Sequence, residues 1–140
     1  MEGFKKNPQL DAILNQKIRD GLNRAAITLQ NEIKLGLSLS SSPSQAGTPP
    51  GVKTGTLRRS IQVDNSEIGN LRVRVGTNLK YARIQEFGGV VKASIGKLLH
   101  FKINDMWHTV KSVILPARPY IRPAIGRARD EMLKCFKDII

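Results

Sequence analysis

Aromatic residues are scarce in this chain of 140 residues: Phe, Trp and Tyr together make up 5%. The core must therefore rest on Ile, Leu, Val and Ala. Cysteine is scarcer still. The single Cys135 can close no internal disulfide, so the chain gives no sign of an oxidising compartment. Long apolar runs are missing too. None approaches the ~20 residues that span a bilayer. No apolar stretch follows the basic start Met1-Glu2-Gly3-Phe4-Lys5-Lys6, as a signal peptide would require. A protein made and kept in the cytosol, or in something assembled there, is expected, with no membrane partner.

Acids are also few: 11 Asp and Glu stand against 23 Lys and Arg, for a net charge of +12. A positive excess of this size attracts polyanions, whether nucleic acid, acidic membranes or acidic proteins. Charge of either sign also serves solubility, so it does not name the partner. The chain is nonetheless globular in composition, with 40% apolar residues, and its length suits one domain, residues 1–140, with a modest core.

The scarcity extends to catalytic side chains. His100 and His108 are the only histidines. They could approach each other across a hairpin, but two His without a third ligand rarely hold a metal. Cys135 falls on the apolar face of a helical pattern with no base placed to activate it, so a buried structural thiol is expected. Asp64, Glu67, Glu86 and Asp105 form no paired-carboxylate pattern. Gly47 to Thr54 superficially resembles a phosphate-binding loop. Val52 stands where that pattern needs its second glycine, and two prolines remove amides that should hold phosphate, so the reading fails. No cofactor is implied, and a small hydrolase finds no support.

The segment from about Pro8 to Leu35 repeats Leu10, Ile13, Leu14, Ile18, Leu22, Ala25, Ala26, Leu29 and Ile33 at steps of three and four. That spacing predicts a long amphipathic helix, with Gly36 as its stop. Residues 38–55 are rich in Ser, Pro and Gly, bury too little apolar surface to order themselves and are expected to be a flexible loop. Ile61 to Asp64 and Leu71 to Val75 alternate apolar and polar residues, which predicts a hairpin. Leu79 to Phe87 reads as a short helix ended by Gly88-Gly89. Leu98 to Ile103 and Trp107 to Leu115 read as a second hairpin around Asn104-Asp105, the second arm without a fixed register. Pro123 is tolerated in the first turn of a last helix carrying Ile121, Ala124, Ile125, Ala128, Met132, Cys135 and Phe136. The order predicts an α+β fold: about four antiparallel strands in a small sheet, packed against a long N-terminal and a C-terminal helix.

Three stretches stand out: Lys53-Thr54-Gly55-Thr56-Leu57-Arg58-Arg59-Ser60-Ile61; Val75-Gly76-Thr77-Asn78 followed by Tyr81-Ala82 and Gln85-Glu86-Phe87-Gly88-Gly89; and Pro116-Ala117-Arg118-Pro119-Tyr120-Ile121-Arg122-Pro123-Ala124. Together and in this order they resemble the tail-completion and virion-morphogenesis proteins of lambda-like tailed bacteriophages. The likeness covers about residues 53 to 124, and the insertion from Val90 to Val113 resembles a variant with an extra hairpin. It implies a non-enzymatic minor tail protein of the virion, made in host cytoplasm and acting at the neck, head–tail junction or tail terminus. It further implies a ring of copies, six being a candidate number, around a channel for double-stranded DNA. A head-connector or adaptor protein would lie on one side of the ring and a tail-tube or tail-terminator protein on the other.

The residues make physical sense of this. Thr54 and Ser60 suit turn and cap positions, and Gly55 permits a positive φ. Gly76 and Asn78 suit another turn. Leu57, Gly88, Arg118, Pro119 and Pro123 are motif positions expected to maintain the fold. Tyr81 and Phe87 are expected to anchor the short helix to the core. Glu86 is expected to pair with Arg118 or Arg122, or across a subunit boundary. Arg58, Arg59, Arg72 and Arg74 are candidates for a DNA-channel lining or a subunit interface. A basic double-stranded-DNA-binding protein acting outside the virion is the competing reading.

Overall fold

The computed structural model describes residues 3, 5–39, 46–47, 49–50 and 55–139. The first helix, α1 (Pro8–Leu39), begins where Asn7 offers its side chain as a cap. The Gln9 and Leu10 amides donate to Asn7 Oδ1 at 3.1 and 3.3 Å, and Pro8 takes the first helical position, where no amide is needed. The helix runs through Gly36, where the sequence predicts its stop. A β-carbon at Gly36 would lie 2.8 Å from the Arg127 guanidinium. The Arg127 side chain of the last helix lies across this buried glycine, which does not end the helix.

A one-turn helix α2 (Thr56–Ser60) leads into β1 (Gln62–Asp64), which pairs antiparallel with β2 (Arg74–Gly76) through Val63 opposite Val75. The second strand is shorter than its alternation predicts. A 3-10 turn at Ile68–Asn70 and a left-handed Leu71, φ 54°, occupy the chain before it. Gly76, expected in a turn, lies in the strand. Next come α3 (Ala82–Phe87) and β3 (Gly89–Lys92), with Gly88 closing the helix at φ 68°.

The chain then forms one long antiparallel arm. β4 (Leu99–Ile103) and β5 (Met106–Val110) make its tip, with the two-residue turn Asn104-Asp105 at φ 48° and 63°, the geometry tight hairpins favour. β6 (Ser112–Leu115) returns along β3, and the Ala93 amide donates to Lys111 O at 2.9 Å between the two ladders. Residues 94–98 bulge out of one side. The predicted second arm of the hairpin is thus two strands with different partners, which is why no single register fits its sequence. The α+β class is as expected. The sheet differs: among the described residues six short strands form three two-stranded ladders.

The last helix, α4 (Arg122–Lys134), runs antiparallel along the C-terminal half of α1. Arg127 Nε donates to Glu32 Oε2 at 3.2 Å, and Arg24 donates to Cys135 O at 3.1 Å. Near its end the Phe136 ring lies against Gly21, where a β-carbon would come within 2.7 Å. The core sits between these helices and the first ladder. Ile33, Leu37, Ile61, Tyr120 and Ala124 are buried together, with Leu29, Leu57, Val75 and Ile121 packed on them. The apolar stripe of α1 is therefore buried only in part. Leu10, Ile13 and Leu14, expected in the core, are exposed because α4 ends before reaching them. None of the described helices is long and apolar enough to cross a membrane.

Candidate functional site

The three motif stretches converge on this core. Leu57 and Ile61 come from the first, Val75 from the second, and Tyr120, Ile121 and Ala124 from the third. The first two are also tied by polar side chains. Ser60 Oγ donates to Leu57 O at 2.7 Å and lies 2.6 Å from Thr77 Oγ1, which accepts the Leu79 amide at 3.1 Å. Gly55 has a positive φ of 72° just before α2. Thr54 lies outside the described residues. Much of the 38–55 segment does too, but Gly47 donates its amide to Ala117 O at 2.8 Å and Pro50 is buried.

The second and third stretches form a latch around Glu86. This buried carboxylate on α3 accepts the Tyr120 and Ile121 amides on Oε2, at 2.7 and 3.0 Å, and the Arg122 amide on Oε1, at 3.1 Å. Those amides open α4, whose own cap position, Ile121, has no side-chain acceptor. A carboxylate at a helix N-terminus meets both orphan amides and the positive end of the helix dipole. Glu86 does fix the last helix, then, but through backbone rather than through the guanidinium expected. The Arg122 guanidinium lies over the Phe87 ring, 5.1 Å from its centroid.

Three further contacts close the latch. The Arg118 amide donates to Gln85 O at 2.6 Å, and the Tyr120 hydroxyl donates to Ala82 O at 3.3 Å. At Gly88 a β-carbon would lie 2.7 Å from the Ala117 nitrogen. Pro119 precedes Tyr120, and Pro123 occupies the first turn of α4 as predicted. Burial, then the charge of Glu86, pushes the Tyr120 hydroxyl up to about 12. Tyr81 and Phe87 do not anchor α3: they are 43% and 57% exposed, and buried Ala82 faces the core in their place.

The four arginines are all exposed. Arg72 and Arg74 share one acid, reaching Glu67 at 3.1 and 2.8 Å. Arg58 donates to Ser38 Oγ at 2.9 Å. Arg59 lies beside Gly55.

His100 and His108 point to opposite faces of the arm, His100 bonded to Thr109 and stacked on Trp107, His108 stacked on Phe101. They do not meet, and no metal-binding cluster exists among the described residues. Cys135 is half-buried rather than buried, and its thiol donates to Glu131 O at 3.4 Å. Sequence reasoning missed the Ser60–Thr77 contact and the passage of Arg127 across Gly36. A small residue on the inner face of a helix was the only signal for the latter.

Geometry of this kind defines a small α+β packing module, many of whose motif residues cap, bury and lock one another. Residues 4–88 match the family model HK97-gp10-like, described as "Bacteriophage HK97-gp10, putative tail-component". The chain belongs to this family of phage tail components, which implies a structural role in the virion. The match takes in α1, the first motif stretch and the second as far as Gly88; the arm and α4 lie beyond it. No curated protein and no solved structure matches the chain.

Proposed function

We propose that the protein acts without catalysis at the head–tail junction or tail terminus, as one subunit of a ring around the DNA channel. The family supplies the tail context. The carrying observation is the latch: Glu86, Gly88 and Tyr120 tie together a module that also carries exposed apolar side chains on α1 and the arm. A rigid body with uncovered apolar faces is built to pack against other subunits. Arg58, Arg59, Arg72 and Arg74 would face DNA phosphate or an acidic neighbour, with a head-connector protein and a tail-tube protein at the two ends.

Light scattering of the purified chain, alone and with tail-tube protein, tests this reading. A multi-copy species of fixed mass is expected. A chain that stays monomeric in both samples would refute it. A free DNA-binding protein is the second reading, favoured by the net charge of +12. Filter binding with steep salt dependence by the isolated chain would support it, and no retention at low salt would eliminate it.

A further inference from the structure

The hairpin tip of the arm has two unlike sides. On one, Phe101 faces His108 and Ile103 faces Met106. On the other, Lys102 stands opposite Trp107, and His100 opposite Thr109. All four of these last side chains are exposed. Thr109 Oγ1 lies 2.6 Å from His100 Nδ1 and orients the imidazole. That ring stacks on Trp107, with 4.8 Å between centroids and 15° between planes. Trp107 is nonetheless 65% exposed. One face of its indole is covered by the histidine, and the other is open to solvent.

Further along this side, where residues 94–98 bulge from the ladder, lies an open hollow of about 470 Å³. Leu98, two residues before His100, lines it, as do Ser94, Lys97 and Lys111. A turn shapes it: the Lys97 amide donates to Ser94 O at 2.9 Å, and Gly96 has a φ of 75°. Two lysines and a hydroxyl therefore line one space, and among the described residues no acid lines it. From Gly89 to Leu115 the arm holds four lysines and a single acid, Asp105, which pairs with Lys102 at 3.0 Å. Four residues of strand, roughly 13 Å, separate Trp107 from Lys111.

We propose that this side of the arm binds single-stranded nucleic acid, with phosphate lodged between Lys97 and Lys111 and a base stacked on the open face of Trp107. The two features answer the two halves of a nucleotide. A cationic hollow without a carboxylate suits phosphate, and a flat ring open on one side suits a base. An acidic peptide would use the lysines and leave the indole idle. A duplex presents base edges in its grooves and keeps the base faces stacked inside, so only an unpaired base offers its face to Trp107. The proposal stands on the arm alone, apart from the four arginines and whether or not the copies form a ring.

The test uses the full chain, in which Trp107 is the only tryptophan, so indole fluorescence reports this site alone. Titration with a short oligothymidylate at low salt should quench it saturably. Polyphosphate and polyglutamate, which carry charge without bases, should quench little at equal charge. Binding of a labelled oligothymidylate, read by anisotropy, should weaken about tenfold in Trp107→Ala. Lys97→Gln with Lys111→Gln should weaken it too, and make the salt slope shallower by about 0.7 for each phosphate no longer neutralised. All three side chains are exposed, and circular dichroism verifies that the variants fold. Equal quenching by the base-free polyanions would make the site a general anion or acidic-protein contact and overturn the proposal. So would oligonucleotide binding that leaves the fluorescence unchanged, or closed circular duplex that quenches as well as the single strand. The ring reading is read separately, by mass. A chain that assembles with tail-tube protein yet shows no quenching overturns this site and leaves the ring standing, and a quenched monomer does the reverse.

Discussion

Glu86 reaches the Tyr120 amide across 34 residues of sequence, with Oε2 2.7 Å from the nitrogen, and so supplies α4 with the cap its own sequence lacks. Replacing Glu86 by Ala would leave three amides without this acceptor in a closed setting. We expect a loss of about 2–4 kcal/mol, read as a lower urea midpoint. Glu86→Gln keeps one neutral acceptor and should lose less. Equal losses for the two variants would mean that the carboxylate contributes only by filling space.

Tyr120 gives the latch an alkaline limit. Its hydroxyl is raised from the ordinary tyrosine value to about 12, first by burial and then by the charge of Glu86. A group whose folded value lies above its unfolded value contributes stability in full below the unfolded value, near pH 10. That contribution is lost as pH rises from there through about 12. Tyr120→Phe should therefore flatten the fall in denaturation midpoint across this window, relative to wild type. It should also lose about 1 kcal/mol at neutral pH with the bond to Ala82. Parallel alkaline limbs in the two proteins would contradict the assignment.

Gly88 is the point where α3, the arm and the approach to α4 come closest. It has a φ of 68°, and a β-carbon would sit 2.7 Å from Ala117 N and 2.8 Å from Leu115 O. Both atoms are backbone, so neither can swing away. Gly88→Ala should destabilise the chain by about 2 kcal/mol or more, combining left-handed strain with a clash. Ile61→Ala, at a fully buried position, should cost about 2–5 kcal/mol. Ile95→Ala, at the tip of the bulge where the side chain is fully exposed, should change stability by less than about 0.5 kcal/mol. Chemical denaturation of the three variants side by side checks the ranking.

Local pattern made part of this readable in the sequence. Asn104-Asp105 between alternating runs gave the hairpin tip, Pro123 gave the first turn of α4, and Gly88 gave the end of α3. Positions fixed by tertiary partners did not show. Leu10, Ile13 and Leu14 belong to the same run of three- and four-residue steps as Ala25, Leu29 and Ile33, yet only the latter group meets α4 and the first ladder. Periodicity reports which side of a helix is apolar and not how far a neighbour extends along it. The strand from Trp107 to Leu115 failed for a related reason, because the bulge at 94–98 hands its two halves to different partners. Glu86 was legible as an acid in a dense motif, but its use of backbone amides could not be seen without the chain reversal that delivers Tyr120 to it.

Glu67 decides how much positive charge the surface near β2 presents. It holds both Arg72 and Arg74 within 3.1 Å, so two guanidinium groups share one carboxylate. All three side chains are solvent-accessible, and such pairs contribute little to stability, about 0–1 kcal/mol. Their charge can therefore be altered without unfolding the chain. If this surface faces phosphate, Glu67→Gln should free the pair and raise low-salt retention of double-stranded DNA. Arg72→Gln with Arg74→Gln should lower it and make the salt slope shallower by about one for each phosphate no longer neutralised. An acidic protein partner would give the same order in a binding assay with that partner and no change on DNA. Glu67→Gln leaving DNA retention unchanged, while the double arginine variant still assembles normally, would remove this surface from both roles.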